Sequence, residues 1–83
     1  MTARRTLYAG IDIGSLSTDV VLLDGDLAIV GSAITATGAS TRKAAREALD
    51  AALLAGGAKE QEIAFTVATG YGRESAELSL IHI

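Results

Sequence analysis

The hydrophobic positions of this chain follow a strand-like pattern first and a helical pattern later. Residues 7–13 form a short apolar run, and residues 19–23 form a second run rich in β-branched and leucine side chains. A third run covers residues 27–36, where we expect a bulge or bend at Gly31 and Ser32. The pattern predicts three consecutive antiparallel strands.

The second and third runs are separated by Asp24-Gly25-Asp26, which is a tight-turn signal. Glycine adopts a positive φ without steric cost, and a primed hairpin turn requires a positive φ. We therefore expect Gly25 to supply that conformation in a hairpin turn.

From residue 41 to residue 55 the apolar positions recur at helical spacing, and charged side chains occupy the opposite face. Ser40 or Thr41 can cap the start of this helix, and Gly56-Gly57 can end it in a left-handed conformation. The apolar positions are Ala44, Ala45, Ala48, Leu49, Ala52 and Leu53. The alanines among them would let the helix approach a sheet closely.

Residues 63–68 read as a fourth strand after a polar connector. Because a helix joins the third strand to the fourth, we expect the fourth strand to lie parallel to its partner. Residues 69–73 then form a glycine-rich loop at the carboxyl end of that strand, which is the edge where open α/β sheets usually bind ligands.

Composition and charge narrow the function classes. The 83 residues include no cysteine and one histidine, His82, so these residues alone cannot hold a disulfide or a cysteine-ligated metal centre. The net charge of −3 argues against binding to nucleic acid. No segment is long enough to cross a bilayer, and Asp12 interrupts the apolar run that follows Arg4-Arg5 too early for a signal peptide. We expect a soluble cytoplasmic protein.

The last six residues, 78–83, show no periodic pattern. Their sequence LSLIHI matches one translation of the transposase adaptor end used in sequencing libraries. We therefore interpret residues 1–77 as the N-terminal part of a larger domain and residues 78–83 as an adaptor artefact.

Candidate chemistry is concentrated directly after the first strand. Asp12 lies near the carboxyl end of an otherwise apolar strand, where a magnesium ion would compensate its charge. Gly14 has no Cβ, so a phosphate can approach the backbone, and successive N–H groups in such a turn form an anion-binding concavity. Ser15, Ser17 and Thr18 add hydroxyl donors. The pattern favours a phosphate-binding loop over a plain hairpin turn.

Two common nucleotide motifs are absent. The sequence contains no G-x-x-x-x-G-K-[ST] loop, and its first loop leads into a strand rather than into the helix that a dinucleotide-binding fingerprint requires. A phosphate loop between two strands therefore belongs to a different fold class.

The two loops together resemble those of a known family. Residues 10–18, followed by residues 20–24, are similar to the first phosphate motif of the actin and sugar-kinase superfamily. Ala68-Thr69-Gly70-Tyr71-Gly72-Arg73 is similar to a more specific motif of the BadF/BadG/BcrA/BcrD-type ATPases. These include the activators of 2-hydroxyacyl-CoA dehydratases and the ATPase subunits of benzoyl-CoA reductase. The resemblance covers nearly all of residues 7–77 and implies a ribonuclease H-like α/β fold of the actin-like ATPase kind.

The resemblance also implies a function. Such proteins are dimeric ATPases, formed by two identical or related subunits, that carry a 4Fe-4S cluster between them. They couple ATP hydrolysis to the transfer of a low-potential electron to a CoA-ester dehydratase or reductase component. The cluster ligands would lie beyond residue 83. By this resemblance Asp12 is the catalytic and magnesium-binding residue, and the ATP-binding residues are Gly14, Ser15, Leu16, Ser17, Thr18, Gly70 and Arg73.

One residue departs from the family pattern. Many relatives have lysine where this chain has Asp19, and an acidic residue there would repel phosphate. Repulsion would be avoided if Asp19 pointed to the other face of its strand or met a magnesium-bound water.

Other functions remain open at this point. A small-molecule kinase of the same superfamily would share the first loop, and so would a non-catalytic nucleotide-binding module. A ribonuclease H-type nuclease would share the strand order, but the acidic net charge argues against it. Arg73 has two open roles, a phosphate or partner contact and an ordinary surface ion pair.

Overall fold

The sheet and helix predicted from the hydrophobic pattern are both present in the computed structural model, which describes residues 5–70. No helix within this range has the length and apolar character needed to cross a membrane. In chain order the elements are β1 (Leu7–Ile13), β2 (Ser17–Leu23), β3 (Ile29–Ala36), α1 (Thr41–Gly56), a 3₁₀ turn (Glu60–Glu62) and β4 (Ile63–Gly70).

The four strands form one mixed sheet in the order β3-β2-β1-β4. The pairs β1–β2 and β2–β3 are antiparallel, whereas β1 and β4 are parallel. The parallel pair follows from α1, because a helical crossover returns the chain to the same end of the sheet. The predicted fold, an antiparallel meander followed by a helix and a strand parallel to the first, is confirmed.

The core lies between one face of the sheet and α1. Burial alternates strictly along β1, so that every second side chain from Leu7 to Ile13 is buried and the intervening ones are exposed. The face that carries the exposed side chains, here called the open face, has no helix against it within residues 5–70. The core residues are Leu7, Ala9, Ile11, Ile13, Val20, Leu22, Ala45, Ala48, Leu49, Ala52, Leu53 and Ile63.

Two glycines allow α1 to lie close to β3. A Cβ on Gly31 would collide with the carbonyl oxygen of Ala52, and a Cβ on Gly56 would lie 2.6 Å from the carbonyl oxygen of Val30. The alanine stripe and this glycine contact therefore act together in packing the helix on the sheet.

The sequence allowed more than one residue to cap each end of α1. Ser40 is the N-cap, since its side chain accepts a hydrogen bond of 3.1 Å from the Lys43 amide. Gly57 is the C-cap, with a left-handed φ of 60°. The predicted start is confirmed, and the helix ends one residue later than predicted, at Gly56.

The β2–β3 turn differs from the prediction. The positive φ belongs to Leu27, at 66°, and not to Gly25. The Asp24 carbonyl oxygen accepts a bond of 3.0 Å from the Leu27 amide, while its carboxylate accepts bonds from the Asp26 and Ala28 amides. The acidic side chain thus stabilises a three-residue loop in place of a two-residue primed turn.

Three strand boundaries also differ from the sequence pattern. β2 begins at Ser17 rather than at residue 19, and β4 continues to Gly70. β3 begins at Ile29, and its bulge is at Val30, which has no partner in the register with β2. Backbone pairing with neighbouring strands extends β2 to Ser17 and β4 to Gly70, beyond the ends that the sequence pattern predicted.

Candidate functional site

A two-residue turn, Ser15 and Leu16, joins β1 to β2 and forms the candidate loop. It is closed by a hydrogen bond of 2.8 Å from the Gly14 amide to the Ser17 carbonyl oxygen. A Cβ on Gly14 would lie 3.0 Å from that same oxygen, so the tight closure favours glycine there. Ser15, Leu16 and Ser17 are all exposed. The loop therefore presents its backbone and two serine hydroxyls to solvent.

Asp12 lies in the middle of a row of polar side chains across three strands. It pairs with Asp19 on β2 and with Thr69 on β4, so the three residues share the open face. All three line an open groove on that face, together with Gly10, Ile11, Val21 and Val67. The row places oxygen ligands at the end of β1 that leads into the loop.

Asp19 is the residue whose orientation the sequence left open. The register puts it on the same face as Asp12, so the arrangement in which it points to the other face does not occur. Its Oδ1 atom is buried and has no hydrogen-bond partner within the described part of the chain. A cation bound between the Asp12 and Asp19 carboxylates would offset their negative charge and give the buried Asp19 Oδ1 atom a partner.

Within residues 5–70, no group of three or more His, Cys, Asp or Glu side chains is placed to hold a metal ion. Magnesium commonly keeps several waters and uses one or two carboxylates, so Asp12 and Asp19 match that ligand class.

Gly70 brings the second glycine-rich segment to the first loop. It is paired with Ile13 in the parallel ladder and has a φ of 105°, which favours glycine. A Cβ there would collide with the Ile13 carbonyl oxygen and lie 2.9 Å from Asp12 Oδ1. The two motifs that were separate in the sequence thus meet at Asp12. Arg73, the remaining predicted ligand, lies outside the described residues, as do Tyr71 and Gly72.

Thr18 faces the core and not the open face. It is fully buried, and its hydroxyl lies 2.9 Å from the hydroxyl of Thr37. Thr37 in turn donates a bond of 2.7 Å to the Gly14 carbonyl oxygen. The Thr18 side chain therefore lies on the core side of the loop, opposite the face that carries Asp12. Thr37 was missed in the sequence, because it belongs to no motif and meets the loop only through contacts across the fold.

This geometry defines a class of protein. A sheet of order β3-β2-β1-β4 with a helical crossover, and a glycine- and hydroxyl-containing loop after β1, is the front portion of an actin-like ATPase domain. The particular family follows from the sequence profile of the BadF/BadG/BcrA/BcrD ATPase family, which matches residues 9–81. The chain belongs to this family.

Two curated relatives are dehydratase activators. The chain is 42% identical over 64 residues to the activator of lactoyl-CoA dehydratase from Anaerotignum propionicum, covering 77% of this chain and 24% of the relative. It is 39% identical over 71 residues to the (R)-2-hydroxyglutaryl-CoA dehydratase activating ATPase from Acidaminococcus fermentans, covering 82% and 26%. The chain thus spans about a quarter of the length of the curated relatives it matches.

Solved structures agree with the fold. The crystal structure of component A of the A. fermentans (R)-2-hydroxyglutaryl-CoA dehydratase superposes with a TM-score of 0.79 at 33% identity, covering 92% of this chain and 28% of that chain. A reductive activator for a corrinoid, iron–sulfur protein superposes with a TM-score of 0.74 at 18% identity, covering 98% and 17%. At that identity the second likeness concerns the fold alone.

Proposed function

We propose that this chain is the N-terminal part of an ATP-hydrolysing activator that delivers a low-potential electron to a CoA-ester dehydratase or reductase. The observation that carries the proposal is the meeting of the Gly14–Ser17 loop with Gly70 beside the Asp12 carboxylate. The family and the names of the relatives give the partner class. In this proposal residues 1–77 belong to the ATPase domain, and residues 78–83 do not.

The loop would bind the phosphates of ATP mainly through its backbone. Ser15 and Ser17 add exposed hydroxyls, and Leu16, whose side chain is 85% exposed, contributes only its amide. Gly70 keeps the opposite wall free of a side chain, and we assign Arg73 to the same ligand. Phosphoryl transfer depends chiefly on positioning and charge stabilisation, which a cradle of fixed N–H groups supplies.

Asp12 would hold magnesium, with Asp19 as a second carboxylate next to it. The residues fit, because Asp12 is exposed on the open face and Asp19 has an orphaned buried oxygen that a hydrated cation would satisfy. When bound, the ion neutralises charge that develops on the phosphates and orients them. In this proposal Asp12 would also accept a hydrogen bond from the attacking water, which makes it our candidate catalytic residue.

The other components of the proposed activator lie outside this chain. A 4Fe-4S cluster needs cysteine thiolates, and the sequence contains no cysteine, so its ligands must come from elsewhere in the intact protein. The intact protein would be a dimer of identical or related subunits in the cytoplasm. Because only one wall of the site is present, the 83-residue chain alone should not turn over ATP; turnover that Asp12→Ala abolishes would refute this.

A chimera tests the proposed function. Residues 7–70 would replace the matching segment of the A. fermentans activating ATPase, and ATP-dependent activation of its dehydratase would be measured. We expect the chimera to activate, Asp12→Asn in it to lose activation by on the order of 100-fold, and the surface control Asp26→Asn to behave as the chimera does. A folded chimera that hydrolyses no ATP would contradict the proposal.

A further inference from the structure

Thr18 and Thr37 are the two buried polar residues within the described part of the chain, at 0% and 4% exposure. They come from different elements: Thr18 is in β2, and Thr37 follows β3 on the way to α1. A buried hydroxyl without a partner is costly, so losing a hydrogen bond made here would destabilise the fold. Both hydroxyls lie directly behind the Gly14–Ser17 loop.

The direction of each hydrogen bond can be deduced. A threonine hydroxyl carries one hydrogen, and Thr37 uses its hydrogen on the Gly14 carbonyl oxygen at 2.7 Å. Thr18 must therefore be the donor in the 2.9 Å contact between the two hydroxyls. The chain of bonds runs from Thr18 through Thr37 to the loop backbone.

Thr37 makes a second bond to the same loop. Its backbone amide donates to the Leu16 carbonyl oxygen at 2.9 Å. One residue therefore holds two carbonyl groups of the turn, those of Gly14 and Leu16, which lie on either side of Ser15. Two hydrogen bonds restrict the rotation of the peptide units between these carbonyls more than one bond would.

The orientation of the carbonyls decides that of the amides. No described peptide bond is cis, and in a planar trans peptide the C=O and the following N–H point in opposite directions. Because the Gly14 and Leu16 carbonyls face Thr37, the Ser15 and Ser17 amides face away from it. The Ser15 and Ser17 amides therefore lie on the same side of the turn, where backbone N–H groups can form an anion-binding concavity.

We propose that Thr37 is a positioning residue that holds the Ser15 and Ser17 amides of the phosphate loop in their binding orientation, with Thr18 supporting it from behind. The inference rests on the proposed function, since it takes the phosphates of ATP as the ligand. Thr37 itself does not touch the nucleotide. It acts through the Gly14 carbonyl.

The test uses the full-length protein encoded by the gene that carries this sequence, with ATP binding measured by titration calorimetry and stability by chemical denaturation. Thr37→Val removes the hydroxyl and keeps the shape, so we expect roughly tenfold weaker ATP binding. Thr37→Ser keeps the donor and should restore wild-type affinity. Thr18→Val leaves the bond to Gly14 intact and should weaken binding less than Thr37→Val.

Thr66→Val is the matched control, because Thr66 also has a buried hydroxyl, without a hydrogen-bond partner in the described chain, and lies in β4 away from the loop. It should leave ATP affinity unchanged. If Thr37→Val does not fold, Thr37→Cys takes its place, since a thiol is a weak donor of similar size.

The outcomes separate the two proposals. A wild-type protein that binds no ATP contradicts the proposed function itself. A wild-type protein that binds ATP, together with Thr37→Val or Thr37→Cys at equal affinity, overturns the role of Thr37. The role is also overturned if Thr37→Ser binds as weakly as Thr37→Val, because shape and not the hydroxyl would then matter.

Discussion

Asp12 on β1 and Asp19 on β2 are directly opposite each other in the antiparallel ladder, on the open face of the sheet. Like charges in opposite positions of a ladder destabilise it, and Asp19 Oδ1 is in addition buried without a hydrogen-bond partner in the described chain. Asp19 is thus the immediate neighbour of the proposed magnesium ligand.

Replacing Asp19 with asparagine should raise stability without magnesium and reduce the stabilisation that magnesium and ATP provide. Without the ion, loss of the like-charge pair should raise the free energy of unfolding by about 0.2–1 kcal/mol. With magnesium and ATP, the variant should gain less stabilisation than the wild type. Chemical denaturation of the full-length protein measures both. Asp26→Asn, which removes the same charge from the exposed β2–β3 turn, should show neither effect.

Leu27 occupies a backbone conformation that normally belongs to glycine, with a φ of 66° and a side chain that is 74% exposed. Leu27→Gly should therefore stabilise the protein by about 1 kcal/mol, because it relieves the left-handed strain and removes little burial. The thermal unfolding midpoint reports this. Ala28→Gly, whose φ is not positive, should destabilise; equal effects of the two changes would argue against relief of strain.

The contact between Gly31 and α1 leaves no room for a side chain. In Gly31→Ala the new methyl group would press on the Ala52 carbonyl oxygen, so we expect a loss of about 1–3 kcal/mol in the free energy of unfolding. Gly25→Ala is the control, since that position has open space and no positive φ. A Gly31→Ala protein as stable as Gly25→Ala would show that α1 can shift at no cost.

Glu62 gives the stability a predictable acid dependence. The Lys59 backbone amide, at 2.9 Å, and to a lesser extent Arg5 hold the pKa of Glu62 below its ordinary value of 4.5. A carboxylate with a lowered pKa in the folded state stabilises above its unfolded pKa, and this stability is lost as pH falls through the folded value. The free energies of unfolding of the wild type and of Glu62→Gln should therefore differ at neutral pH and converge at acidic pH, below 4.5. A constant difference would contradict the assignment.

The fold could be predicted from the sequence because its signals are local. The alanine stripe, the Ser40 cap and the Gly56-Gly57 stop define α1 without reference to any other element. The parallel placement of β4 then follows from the helical crossover. The β2–β3 turn was predicted incorrectly because Asp24 side-chain bonds, which no composition rule reveals, placed the positive φ on Leu27.

The candidate site could be predicted only in part. Asp12 and Gly14 stand out as a charge and a glycine at the end of an apolar strand. The pairing of Asp12 with Asp19 depends on the register that a two-residue turn imposes, and the burial of Thr18 depends on the same register. Thr37 is 23 residues from Gly14 in the chain, so only the folded backbone reveals their bond.

The account depends most directly on whether Asp12 and its loop form a working ATP site. Phosphate release by the full-length protein, measured with magnesium and ATP, tests this for the wild type and for Asp12→Asn. We predict hydrolysis by the wild type and a loss on the order of 100-fold in the variant, with Asp26→Asn unchanged. Equal hydrolysis by wild type and Asp12→Asn, or none by a folded wild type, would contradict the account.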